Sequence, residues 1–297
     1  MRIKTYAKLN LYLKVFPLRP DGYHDVVSVM QTIDIADDVS IIRKDQELRI
    51  VCAHPAVPVD GRNTIAKVYR LLKEMYPAQV SGAEVRIAKH IPPRSGLGGG
   101  SGNAAGAIMA FRDLFNIPLD NPEMVRLSSR VGSDIPFMLT GGCAMVSGRG
   151  EIVERLPGVA GAFYLVVVPP VGVDTAKAYG LLDERRMKEA YKAGEPRGFY
   201  DEVRSAWLSS FATGGFEILM HNDFEEVIPD AYPEIAAAKN EFLKSGVPAY
   251  MTGSGSAVFA TLDDYARALD IMETMRAIYG EAVYLCQPTD KGVEKID

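Results

Sequence analysis

The stretch Ile91-Pro-Pro-Arg-Ser-Gly-Leu-Gly-Gly-Gly-Ser-Gly-Asn-Ala-Ala-Gly106 decides how the rest of the chain is read. Successive glycines let a backbone approach a ligand closely and aim its N–H groups inward. Leu97 anchors the loop at its middle, which a flexible linker would not need. The spacing predicts a helix from about Asn103 to Phe115, capped by Ser101 or Asn103, whose free amides and dipole favour a phosphate. A tight turn with a glycine-rich cap is the plainer alternative. Gly96, Gly98, Gly99 and Gly100 before a capped helix, in a stretch without acids, exceed what a turn requires. Two other phosphate loops do not fit. A Walker A loop needs Gly-Lys, which the chain lacks. A Rossmann fingerprint can be forced onto Gly100–Ala105 with Asp120 downstream, but Pro92-Pro93 separate it from the preceding strand.

Working outward, the loop lies in one of two basic stretches of an acidic chain. Net charge is −5 and the pI about 5.5, which argues against a general nucleic-acid binder. Yet residues 1–20 carry Arg2, Lys4, Lys8, Lys14 and Arg19 with no acid, and Val85–Arg112 carries Arg86, Lys89, Arg94 and Arg112 with none. An anionic ligand could sit where the two stretches meet. The 297 residues are 47% hydrophobic and 24% charged with mean hydropathy near zero, as in a soluble globular chain of one large or two ordinary domains. No apolar run nears the ~20 residues of a membrane span, and the alternating start MRIKTYAKLNLYLKV does not read as a signal peptide. Cys52, Cys143 and Cys286 are scattered, which points to reduced thiols in the cytoplasm and excludes a disulfide scaffold or zinc ribbon.

Residues 3–15 read as a strand of clean period two, with Ile3, Thr5, Ala7, Leu9, Leu11, Leu13 and Val15 on one face and Lys4, Tyr6, Lys8, Asn10, Tyr12 and Lys14 on the other. Strands are expected at 26–33, 39–43, 48–51 and 83–88. Helices are expected from Asn63 or Thr64, with Ile65, Val68, Leu71, Leu72 and Met75 in one stripe, and from Asn121-Pro122. Phe163–Val168 is an apolar strand ended by Pro169-Pro170. The polar segment Asp183–Arg204 reads as a solvated helix face and loop. Beyond it come a helix over 232–244, a strand near Tyr250, the glycine turn Thr252-Gly-Ser-Gly-Ser256, a strand over 257–261, a helix over 263–279 and a strand over 282–286. The fold class is α/β in two halves, divided as 1–155 and 156–297.

For chemistry, the four histidines show no paired metal spacing, and no G-x-S-x-G elbow is present. Lys8 and Asp134 remain. A lysine on a polar strand face is usually just solvated, and Asp134 in Gly132-Ser-Asp-Ile-Pro136 reads equally as an N-cap. If the two met, the ammonium would keep the carboxylate ionised beside a substrate hydroxyl. Tyr23-His24, after an Asp-Gly turn, supplies a ring that can stack on a base and an imidazole that can hydrogen-bond its edge.

Together these motifs resemble the GHMP kinases over essentially the whole chain: Ala7-Lys-Leu-Asn-Leu11, the loop Pro92–Ser101, and Met251-Thr-Gly-Ser-Gly-Ser-Ala257. Arg19-Pro-Asp-Gly-Tyr-His24, the triple glycine before Ser101, Gly132–Phe137 and Asn222-Asp-Phe-Glu225 are similar to the branch acting on a methylerythritol that bears a cytidine diphosphate, in the non-mevalonate route to isoprenoids. The resemblance implies a two-domain α+β fold, ribosomal-protein-S5-like then ferredoxin-like, with the active site between the domains. It implies ATP with Mg²⁺, whose protein ligands it leaves open, because Gly102-Asn103 stand where Ser-Asp is commoner. It places Pro92, Pro93, Arg94, Ser95, Gly96, Leu97, Gly98, Gly99, Gly100, Ser101, Gly102 and Asn103 around ATP, with Asn63 and Lys89 near the nucleotide. Asp134 would be the base toward the 2-hydroxyl and Lys8 the charge stabiliser. Asn10, Tyr23, His24, Thr175 and Tyr179 would hold the substrate, with Tyr179 on the far face of the cytosine. The alternatives are a GHMP kinase for a small alcohol such as homoserine or mevalonate, and a catalytically silent binder of this fold. No nucleic-acid or membrane partner is expected.

Overall fold

The computed structural model describes residues 1–158, 161–189, 194–213 and 220–296. Two long antiparallel strands, β1 (Arg2–Leu18) and β2 (His24–Lys44), form its spine. The strands expected at 26–33 and 39–43 are one continuous strand, because the polar residues between them stay in the ladder. β2 pairs with β4 (Gly82–Ala88), on which β3 (Arg49–Cys52) lies parallel, and with β5 (Cys143–Ser147), which pairs with β6 (Ile152–Leu156). A second, antiparallel sheet runs β11 (Val283–Cys286), β7 (Phe163–Val167), β10 (Val258–Leu262), β9 (Tyr250–Met251). The later chain does not stay in its own half. β8 (His221–Asn222) and β12 (Val293–Lys295) both add to β1 in the first sheet, so the unit expected over 156–297 gives up its last residues to the other.

The three hydrophobic clusters define the layers. Helices α1 (Thr64–Met75), α2 (Gly99–Leu114), α3 (Asn121–Ser128) and α4 (Ile135–Thr140) pack on one face of the first sheet. Between the sheets, Leu9, Val27, Val29 and Met145 meet Tyr164, Val166 and Phe259, and α6 (Pro196–Thr213) closes that layer with Trp207. Beyond the second sheet lie α5 (Thr175–Lys188), α7 (Ile228–Ala231), α8 (Pro233–Lys244) and α9 (Tyr265–Tyr279). Among the described residues no helix is long and apolar enough to cross a membrane.

The clean alternation expected along β1 does not survive. The register shifts between Tyr6 and Ala7, where Asp34 and Ile35 of β2 are unpaired, between Asn10 and Tyr12, where Leu11 of β1 is unpaired, and between Val15 and Leu18, and such irregularities change which way the neighbouring side chains face. Ile3 therefore packs under the helices, Leu9 and Leu11 between the sheets, and Leu13 and Val15 in the far core. Thr5 and Lys8, of opposite parity, both face α2. A methyl added at Gly106 would stand 2.7 Å from Thr5 Cγ2, and one at Gly98 2.8 Å from Lys8 Cγ. The expected polar face is buried at its centre, with Lys8 3% and Asn10 2% exposed.

The described part of the polar segment 183–204 is mostly solvated, as expected, with Arg186 and Val203 buried as exceptions: Arg186 bonds the Val15 carbonyl at 2.6 Å and pairs with Asp223, while the half-buried Arg204 pairs with Glu154; residues 190–193 lie outside the described ones.

Candidate active site

The glycine loop is held from both sides. Leu97 accepts a hydrogen bond from the Lys8 N–H at 2.9 Å, and Ser95 accepts one from the Ala257 N–H at 2.9 Å, so the loop spans from β1 to the turn between β9 and β10. Gly96 sits at φ 80°, and a methyl there would lie 2.2 Å from the Thr252 carbonyl. Gly98, at φ 74°, is the residue before α2. The helix expected from Asn103 starts at Gly99 instead, with no side chain capping it. Ser101 and Asn103 are thus inside the first turns. The uncapped amides of Gly99 to Ser101 are unsatisfied donors at a helix start, which suits a phosphate.

Lys8 passes through a slot between the two glycine turns. Gly98 lies against its stem, and a methyl at Gly253 would stand 3.2 Å from its Nζ. The ammonium donates to Asn10 Oδ1 and lies 4.0 Å from Asp134 Oδ2. Asn10 is fixed in turn by the Ser28 hydroxyl at 2.9 Å and, through its own N–H, by Thr252 Oγ1 at 2.9 Å. Asp134 occupies the N-cap position of α4 but makes no capping bond there. Its carboxylate, 34% exposed, turns to Lys8 instead, which removes the plain N-cap reading. Burial pushes the Lys8 pKa down, and the Asp134 charge opposes this.

The cleft holds about 520 Å³ and is lined by Lys8, Asn10, Asp134, Asn63, Lys89, Thr175, Tyr179 and the loop from Pro92 to Ser101 with Asn103. Gly102 is not on that wall; a methyl there would meet Met138 and the Tyr6 carbonyl at 3.1 Å. Asn63 caps its own helix, accepting from the Ile65 N–H at 2.9 Å. Lys89 is only 5% exposed and its ammonium pairs with Asp37, under Gly99. Asp37, fully buried, also accepts from Asn103 Nδ2 at 2.9 Å and from the His90 and Ile91 N–H groups at 2.8 Å each. Asn103 is thereby committed to the protein interior, with Thr5 Oγ1 its other partner at 2.8 Å.

Of the aromatic residues, His24 and Tyr179 stack directly on each other, centroids 4.8 Å apart. His24 Nδ1 donates to the Phe16 carbonyl at 2.7 Å, since a carbonyl only accepts, and Nε2 faces Asp183 at 3.4 Å. Tyr23 is 52% exposed at the mouth, with the Arg149 guanidinium 4.7 Å over its ring. Thr175, at the start of α5, bonds Ser254 at 3.1 Å and so ties α5 to the second glycine turn.

Two side chains here escaped the reading of the sequence. Asp37 stands in Asp34-Ile-Ala-Asp-Asp38, where strand acids read as exposed; nothing local marks it as buried. Arg149 lies between two glycines in Ser147-Gly-Arg-Gly-Glu151, which reads only as a turn. Both basic stretches do meet in the cleft, through Lys8 and the glycine loop. Among the described residues no group of three or more His, Cys, Asp or Glu could hold a metal ion.

The GHMP kinases N terminal domain model matches residues 63–142, and the GHMP kinases C terminal model matches residues 208–281. The 4-diphosphocytidyl-2-C-methyl-D-erythritol kinase of Gloeobacter violaceus is 33% identical over 295 residues, covering 99% of this chain and 96% of its own length. The kinase of the same description from Geobacillus kaustophilus is 35% identical over 279 residues, 93% of each chain. Among solved structures, a 4-(cytidine 5'-diphospho)-2C-methyl-D-erythritol kinase superposes with a TM-score of 0.75 at 26% identity, covering 97% of this chain and 99% of that one. A homoserine kinase from Cytophaga hutchinsonii superposes with a TM-score of 0.75 at 17% identity over 99% of this chain and 96% of its own, a likeness of fold alone.

Proposed function

Because the chain belongs to the GHMP kinases, and within them to the 4-diphosphocytidyl-2-C-methyl-D-erythritol kinases, we propose that Asp134 and Lys8 direct phosphoryl transfer from ATP to the 2-hydroxyl of that alcohol. Phosphoryl transfer asks of a protein mainly positioning and charge stabilisation. The start of α2 supplies inward amides for the phosphates of ATP. Asp134 accepts the proton of the attacking hydroxyl, and Lys8, 4.0 Å away, offsets the negative charge that gathers between the reactants. A divalent cation would come with the nucleotide and take most of its oxygens from phosphate and water. Among the oxygens that line the cleft, the Ser101 hydroxyl and the Asp134 carboxylate would be two candidates to hold it.

One observation carries this division of roles. Asp134 holds a capping position and declines to cap, placing a half-open carboxylate beside a buried cation and opposite an uncapped helix start. Asn10, Thr175 and Tyr179 line the acceptor side of the same cleft. Tyr23 is open to a base at the mouth, while His24 shapes the wall through Tyr179. Our reading puts the reaction in the cytoplasm, in keeping with three free, scattered cysteines.

The test is ADP release from Mg-ATP with 4-diphosphocytidyl-methylerythritol, homoserine or mevalonate offered in parallel. Turnover with the cytidine-bearing alcohol alone, falling by at least about 10²-fold in Asp134→Ala with the fold intact by circular dichroism, supports the reading. Turnover with another alcohol would keep the phosphate site and overturn the acceptor; tight ATP binding without any turnover would favour a silent binder.

A further inference from the structure

The glycine loop leaves β4 and runs into α2, and both of its ends come back to one carboxylate. Asp37, fully buried on β2, receives the His90 and Ile91 N–H groups on Oδ1 at 2.8 Å each, where the chain enters the loop. Its Oδ2 receives Asn103 Nδ2 at 2.9 Å, from the first turns of α2 where the loop ends, and the Lys89 ammonium as well. A carboxylate offers about four lone-pair sites, and these four donors fill them. One oxygen therefore holds the way into the loop and the other the way out. Asn103 is fixed a second time by Thr5 Oγ1 at 2.8 Å, and Thr5 stands opposite Asp37 in the β1–β2 ladder. The base of the loop is thus bolted to the two strands that form the spine of the first sheet.

A buried carboxylate is costly to desolvate, and a packed apolar side chain would fill this place on β2 as well. What an apolar residue could not do is gather these groups. Lys89 lies directly beneath α2, since a methyl on Gly99 would stand 2.5 Å from its Nζ. An ammonium there faces the positive end of the helix dipole, and Asp37 is the charge that offsets it. All the donors that Asp37 engages flank the loop or open α2, and its filled lone pairs leave none for a ligand. It can act on ATP only through the loop that it holds.

We propose that Asp37 is the positioning residue that sets the glycine loop for the phosphates of ATP. The inference rests on the ATP site named under the proposed function. Asp37→Asn either turns an amide toward donors already in place or leaves Lys89 buried beside a neutral group. It should raise KM for ATP at least about tenfold, the loss expected when hydrogen bonds to a charged group are broken, with KM for the acceptor alcohol unchanged. Combining Asp37→Asn with Asn103→Asp exchanges donor and acceptor and keeps a carboxylate within reach of Lys89, because Asn103 and Lys89 meet at the same oxygen. That exchange should recover most of the loss. An acid that served stability alone would move both KM values together or neither. An equal rise in the two KM values, an unchanged KM for ATP, or an exchange variant no better than Asp37→Asn would each overturn the inference. Should Asp37→Asn fail to fold, Asn103→Ala decides: it removes only the bond at the loop's exit and should raise KM for ATP about threefold or more, and an unchanged value overturns the inference. If the unaltered protein binds no ATP by calorimetry, the ATP site itself fails and this inference with it. ATP binding that survives Asp37→Asn undiminished overturns this inference alone.

Discussion

Burial pushes the Lys8 ammonium toward its neutral form, and the Asp134 charge opposes this. The folded chain gives up this proton at lower pH than the unfolded one, whose lysine titrates near 10.5. Stability from this group therefore rises with pH through the window below 10.5 and is least where both states are protonated. Lys8→Met should leave the protein between equally stable and about 2 kcal/mol more stable at pH 7, while turnover falls at least about 10²-fold. Urea unfolding alongside an ADP-release assay checks both, and a strongly destabilised variant would contradict the account. At this scale Lys8 and Asp134 were legible from residue type and motif. Asp37 and Arg149 were not, because burial of a strand acid and the placing of a turn arginine over Tyr23 are properties of distant neighbours.

Elements carry the next set of constraints. A methyl at Gly98 collides with the Lys8 stem and forces a positive φ on an ordinary residue, whereas one at Gly100 meets nothing closer than Thr64 Oγ1 at 3.9 Å. Gly98→Ala should lose activity and stability together. Gly100→Ala should stabilise α2 by about 0.5 kcal/mol yet weaken ATP binding, because its methyl fills space assigned to phosphate. Thermal unfolding with and without ATP distinguishes the two, and unchanged ATP affinity in Gly100→Ala would count against the cradle. Asp223 joins β1 to α5 in a similar way. Burial alone would raise its pKa, but His221, Arg186 and the Val15 N–H hold it at about 2 against an ordinary 3.8. Its contribution is present above pH 3.8 and lost as pH falls through about 2, on the order of 2 kcal/mol. The stability gap between the unaltered protein and Asp223→Asn should narrow by that amount between pH 7 and pH 2 in urea titrations. Most helices and strands were readable from their period and end signals, as with Asn63 before α1 and Asn121-Pro122 at the start of α3. The three register shifts along the β1–β2 ladder were not, since a bulge leaves the pattern of residue types unaltered and changes only which way they face.

Over the whole molecule the reading in two halves rested on the apolar strand before Pro169-Pro170 and the element pattern around it, and nothing in it announced the return of the chain to β1. A three-residue strand such as β12 has too little pattern to announce a partner so far away. Ending the chain after Gln287 would strip β1 of its ladder with β12 and of the Gly292 carbonyl that receives the Tyr6 N–H at 2.9 Å. A loss of about 2–4 kcal/mol is expected, seen as a Tm lower by roughly 5–10 °C. A truncated form as stable as the full chain would show β12 to be an ornament.

Because β12 pairs with β1 from far along the chain, the strand that bears Lys8 is synthesised well before the partner that completes its ladder. Its polar middle, Lys8 and Asn10, waits uncovered until the Gly253 turn arrives some 240 residues later and shuts over it. At about 5–20 residues per second that delay is of the order of ten seconds or more, during which the nascent chain holds a complete glycine loop without the second turn that seats the lysine. On the role proposed for Lys8, a ribosome stalled short of residue 253 would carry a chain with its glycine loop made and its lysine unseated, and no turnover is expected from it.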